Sequence, residues 1–113
     1  MMIKVSEATP SQINYLVAKI EGVKFTLAQV YGLWSVVSEY NYRLYEPATD
    51  WAQGGPIIER EGITLTHQQT QWVAQTDDDV FAYGPTPLIA AMRCYVVSKL
   101  GDTVDVPEEL INV

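Results

Sequence analysis

Gly84-Pro85-Thr86-Pro87-Leu88-Ile89-Ala90-Ala91-Met92-Arg93-Cys94-Tyr95-Val96-Val97-Ser98-Lys99-Leu100-Gly101 is the stretch on which the fold turns. Thr86 is a helix cap, Pro87 suits the first helical position, and Gly101 is a stop signal, so the spacing predicts a helix over 87–100. That helix is apolar on most of its faces. It must be buried, either beneath a sheet or against a second subunit. Its apolar run, residues 88–97, is interrupted by Arg93 and is about half the ~20 residues a membrane-spanning helix needs.

Upstream, residues 63–68 and 71–75 read as strands joined near Gln69-Thr70, and a polar Asp77-Asp78-Asp79 turn leads into a short strand at 80–83. This meander supplies a sheet for the last helix to cover. Near the start, Thr9-Pro10-Ser11-Gln12 has the pattern of a capping box. Ile13, Leu16, Val17 and Ile20 follow at helical spacing and Gly22 stops a helix over 10–21. Between 23 and 45 the chain becomes β-branched and aromatic, with a break at Tyr31-Gly32 that marks strands at 23–29 and 33–38; residues 39–45 are either a long loop or an edge strand.

Thr49 and Asp50 begin another helix, bent by Gly54, Gly55 and Pro56 and ended by Gly62. Pro56 lacks the N–H that a helix interior uses, a loss of ~3 kcal/mol. Ile57 and Ile58 face inward in this reading, and Glu59 and Glu61 face water. The order of elements gives an α+β fold: an antiparallel sheet of about four to five strands covered by three helices in a layered α/β/α sandwich. Residues 1–113 form one domain, with 102–113 a tail laid over the surface.

Hydrophobic residues make up 48% of the chain, and its three Trp, seven Tyr and two Phe read as bulky core material. The net charge of −7 argues against binding to nucleic acid or anionic lipid, because both reward clustered Lys and Arg and the seven basic residues here are scattered. A protein with a basic surface is the better electrostatic match. The one cysteine, Cys94, has no internal disulfide partner, and no secretory signal is evident. The host cytoplasm is the expected location.

Two blocks carry a family likeness. They run from Tyr45-Glu46-Pro47-Ala48-Thr49-Asp50-Trp51-Ala52-Gln53-Gly54-Gly55-Pro56 to Ile63, and from Gly84 to Asp102. With the helix ending Val17-Ala18-Lys19-Ile20-Glu21-Gly22, they resemble the NinX-like family of small phage proteins. A looser likeness joins the same blocks to the phage ABA-sandwich domain, which implies helix layers on both sides of an antiparallel sheet. The resemblance implies a phage origin and carries no activity with it.

The candidate binding residues are Tyr45, Asp50, Trp51, Gln53, Gly54, Gly55 and Arg93. Arg93 shares a helical face with Ile89, Val96, Val97 and Leu100, so its guanidinium needs a partner: an ion pair with Asp50, or an anion of a ligand. Asp50 caps a helix while Trp51 anchors the core, or the two rim a pocket. Gly54-Gly55 permits close packing or the bend before Pro56, with an anion nest as the sharper reading. His67 reads as a surface residue and Cys94 as an inert packed thiol, and no catalytic residue is assigned. Asp77-Asp78-Asp79 lacks the spaced ligands of a calcium loop, and one His with one Cys does not close a zinc site. Neither a metal nor a cofactor is expected.

Three functions compete on these grounds. The first is a non-enzymatic module that binds a host or phage protein through an acidic face. The alternative is a binder of a small ligand, such as a nucleotide, with Tyr45, Trp51 and Arg93 in one pocket. The third is an enzyme using Asp50, Glu59 or Glu61, which requires those carboxylates to converge. A homodimer is a separate expectation and rests on the apolar last helix.

Overall fold

The computed structural model describes residues 1–111. Strand β1 (Met2–Lys4) leads through a 3-10 turn at Val5–Glu7 into helix α1 (Pro10–Glu21). The α1 start is a complete capping box: the Gln12 amide donates to Thr9 Oγ1 and the Thr9 amide donates to Gln12 Oε1. Gly22 closes the helix in the left-handed region at φ 71°. Strands β2 (Phe25–Val30) and β3 (Leu33–Ser38) form a hairpin whose two turn residues, Tyr31 and Gly32, both have positive φ, as a tight twisted hairpin requires.

After an irregular segment comes α2 (Trp51–Glu61), then β4 (Thr64–Gln68), β5 (Gln71–Gln75) and β6 (Phe81–Gly84). Helix α3 (Pro87–Leu100) follows, capped by Thr86, and β7 (Thr103–Asp105) and a 3-10 turn at Glu108–Leu110 complete the described chain. Residues 39–45 form the loop and not the edge strand of the two alternatives, with one isolated bridge, Val37 to Leu44. Helix α2 runs on through Pro56.

The single sheet of four to five strands is not formed. Among the described residues three separate antiparallel sheets stand in its place: β1–β7, β2–β3 and β4–β5–β6. Helices separate them along the chain, and the hairpin packs on α1, where Tyr15 meets Phe25 edge to face at 5.5 Å, and does not extend the meander. Nor do helices sandwich the three-stranded sheet. α3 lies against one face of it and α1 and α2 pack behind α3, while the other face leaves Phe81 and Tyr83 half exposed.

α3 is therefore the spine of the molecule. Leu88, Ile89, Ala90, Ala91, Met92, Cys94, Tyr95 and Val96 are all buried within this one chain. The apolar helix needs no second subunit to cover it, which removes the argument that favoured a homodimer. The expected surface tail is also corrected over its described part. Residues 103–105 pair with 2–4, and Val104, Val106 and Leu110 join the core. Residues 112 and 113 of that tail lie outside the described residues.

Candidate functional site

The residues singled out in the sequence separate into two places. Tyr45, Asp50 and Gln53 line a shallow groove of about 1080 Å³ between the loop after β3 and the start of α2, together with Lys24, Glu39 and Arg43. Much of their polarity is already used there. Asp50 Oδ1 accepts from the Ala52 amide at 3.0 Å, which is the helix cap, and Asp50 Oδ2 accepts from Gln53 Nε2 at 2.9 Å. Gln53 in turn donates to the Leu44 carbonyl and accepts from the Glu46 amide. These bonds staple residues 44–46 to α2. Tyr45 is half-buried, and burial, reinforced by the negative charge of Glu21, pushes its hydroxyl up to about 12.

Gly54 is a packing residue. A Cβ at that position would run into the Pro47 carbonyl oxygen and stand 2.6 Å from Leu88 Cδ2. Only glycine lets α2 approach this closely. Gly55 has ordinary space, with Trp51 Cε3 at 3.8 Å from a built Cβ. Trp51 does not anchor the core: it is 54% exposed. It is the first residue of α2, and the buried residues of that helix are Gly54 and Ile57.

Arg93 lies elsewhere, and its expected ion pair with Asp50 does not form. Its Nη1 donates to the Tyr83 carbonyl and its Nη2 to the Ala8 carbonyl, each at 2.9 Å. The physical reason is position. Arg93 leaves α3 towards β6 and the turn before α1, whereas Asp50 sits at the N-terminus of α2 and is already bonded to Gln53. Tyr45 and Arg93 accordingly line different grooves, and Trp51 lines neither of the two. The carboxylates do not converge either. Glu59 is exposed, Asp50 caps a helix, and Glu61 pairs with Arg60 at 2.9 Å and Lys99 at 3.5 Å.

Pattern reading missed a polar cluster that ties the three helices together. Arg60 of α2 donates to both oxygens of Glu21 of α1, at 3.0 and 2.7 Å, and to the Tyr95 hydroxyl of α3 at 3.1 Å. The Tyr95 hydroxyl itself donates to Glu21. Hydrogen bonding from Arg60 holds the Glu21 carboxyl below its ordinary range against the opposing effect of burial, and burial with the Glu21 bond raises Tyr95. The available signal was Tyr95 itself, because a tyrosine in an apolar helix needs a partner for its hydroxyl.

His67 is exposed and tilts against Trp72 with ring centres 4.8 Å apart. Cys94 is buried, donates to the Val80 carbonyl, and has its thiol pushed up to about 11 by burial. Among the described residues no His, Cys, Asp and Glu side chains group in a way that would hold a metal ion. No helix among them is long and apolar enough to cross a membrane.

The fold and its grooves define a small α+β protein built around one central helix, with a hairpin at its side. The family model described as "Bacteriophage P22, NinX" matches residues 4–99, and the chain belongs to that family. Membership places it among phage accessory proteins. A search of curated proteins gives no match.

Proposed function

We propose that this chain is a non-enzymatic accessory protein that acts by binding a host or phage protein through the β2–β3 hairpin and the loop that follows it. The observation that carries this reading is the exposure of Tyr31, Leu33, Tyr40 and Tyr42, at 101%, 70%, 93% and 83%. Large side chains left in water on the hairpin turn, the start of β3 and the loop after it mark contact points, and tyrosine is enriched among residues that dominate binding energy.

The hairpin supports the reading in a second way. Among the described residues β2 pairs only with β3, so its other edge has no strand neighbour there. With a net charge of −7 on the chain, and Glu39 beside Tyr40, a partner with a basic surface is the electrostatic complement. The host cytoplasm is the compartment this role requires.

The test is affinity capture from infected-host lysate with cross-linking, comparing wild type with a Tyr31→Ala/Tyr40→Ala/Tyr42→Ala variant whose circular dichroism is unchanged. A protein cross-linked at the hairpin and lost with the variant supports the reading. A partner retained equally by both, or attached elsewhere on the surface, overturns it.

A further inference from the structure

A guanidinium has five N–H donors and a permanent positive charge. Arg93 gives hydrogen bonds to two backbone carbonyls, both neutral acceptors. Its Nε is buried and has no partner. None of the ion pairs among the described residues includes Arg93. Burial without a counter-charge is unfavourable to the ion, and it draws the Arg93 pKa down.

Arg93 also lines a groove of about 680 Å³ between β6 and the turn that follows β1. Its lining includes Lys4 and Ser6, Phe81 and Tyr83 of β6, and Asp102 just after α3. Phe81 and Tyr83 are two residues apart on β6, so their rings project from the same face of the sheet, and each is 49% exposed. The groove has two cations to one carboxylate on a chain with net charge −7. The larger groove beside Tyr45 has the opposite balance, Lys24 and Arg43 against Glu39, Glu46 and Asp50.

We propose that the groove beside Arg93 binds a small ligand in which an anionic head, a phosphate or a carboxylate, is joined to a flat ring. The head neutralises Arg93 and Lys4, and the ring rests on the half-exposed aromatic side chains of β6. The end of the guanidinium at Nη1, whose bond to the Tyr83 carbonyl lies at the surface, has a second hydrogen for a charge-assisted bond to such a head, the strong class of hydrogen bond. Asp102 limits the charge the site tolerates, which favours one anionic group over a polyanion. This site is independent of the hairpin, and the two readings fail separately.

The test is a titration of the labelled protein followed by amide chemical shifts, with adenosine monophosphate, benzoate, neutral adenosine and inorganic phosphate as probes. The expected result is saturable shifts at residues 4–6 and 81–84 with at least one ring-bearing anion, and none with adenosine. Adenosine monophosphate and benzoate separate the phosphate head from the carboxylate head. Lys4→Gln and Phe81→Ala change exposed side chains and are expected to keep the fold, each weakening binding about tenfold, the scale of one charge-assisted bond or one ring contact. Arg93→Lys keeps the charge and loses the planar fork, with a larger loss expected. Absence of shifts with both ring-bearing anions in the millimolar range, equal shifts with adenosine, or unchanged affinity in both exposed variants overturns the proposal.

Discussion

Arg60 holds Glu21 through two parallel hydrogen bonds, 3.0 and 2.7 Å long, and so fastens the C-terminal end of α2 to that of α1. The Tyr95 hydroxyl meets both partners from α3. A two-pronged contact of this kind is stronger than a single surface ion pair, but Arg60 is half exposed and solvent weakens the pairing. Glu21→Gln is expected to lower stability by about 1 kcal/mol, read as a shift in the urea midpoint with no change in slope. Tyr95→Phe, which keeps the ring in the core, is expected to cost a similar or smaller amount.

The same contact sets a pH dependence. Because the folded pKa of Glu21 is lowered, chiefly by its hydrogen bonds from Arg60, its contribution is fully present above the unfolded value of about 4.3 and is lost as pH falls through the lower folded value. Wild type is expected to be more stable than Glu21→Gln at neutral pH, and the two should converge in that acid window. Urea titrations of both proteins across it are the check. A gap that stays constant as pH falls would rule out Glu21 ionisation as its source.

The adjacent glycines of α2 should respond in opposite directions to alanine. Gly54→Ala places a methyl group against the Pro47 carbonyl and Leu88, and is expected to destabilise by about 1–3 kcal/mol despite the better helix propensity of alanine. Gly55→Ala meets only ordinary contact and is expected to stabilise by about 0.5–1 kcal/mol. Thermal melts of the two variants decide the matter.

Cys94 should resist alkylation in the folded protein. It is buried and its thiol is pushed up to about 11, so at pH 8 only ~0.1% is thiolate, against roughly a quarter for a free cysteine. Iodoacetamide labelling at that pH is expected to be at least ~100-fold slower than for glutathione, and to approach it in denaturant. Fast labelling of the native protein would show that the α3–β6 packing opens readily.

What was legible in the sequence is what is decided locally. Thr9 with Gln12, Asp50, and Thr86 with Pro87 mark the helix starts, and Gly22, Gly62 and Gly101 mark the stops, because capping needs only residues a few positions apart. The separation into three sheets was not legible. Met2–Lys4 and Thr103–Asp105 are each three residues long, too short to show alternation, and they find each other across nearly the whole chain. The candidate site failed at the same point. A helical wheel puts Arg93 on an apolar face, but the acceptors it meets are the backbone carbonyls of Tyr83 and Ala8, which no side-chain pattern encodes. The tyrosines of the hairpin misled for a different reason. Composition counts them as core material, and exposure depends on the missing cover over β2–β3.

The pairing of β1 with β7 also gives the molecule a mechanical direction. Met2 faces Asp105, Ile3 faces Val104 and Lys4 faces Thr103, while the Met1 ammonium is tied to Asp105 and to the Val106 carbonyl. Both strands thus leave the ladder at the same end. Tension applied between Met1 and Val106 loads one rung at a time, as in a zipper, and never shears all three together. The two terminal segments would part at low force and free residues 1–4 and 103–106 while the spine helix and its meander still held.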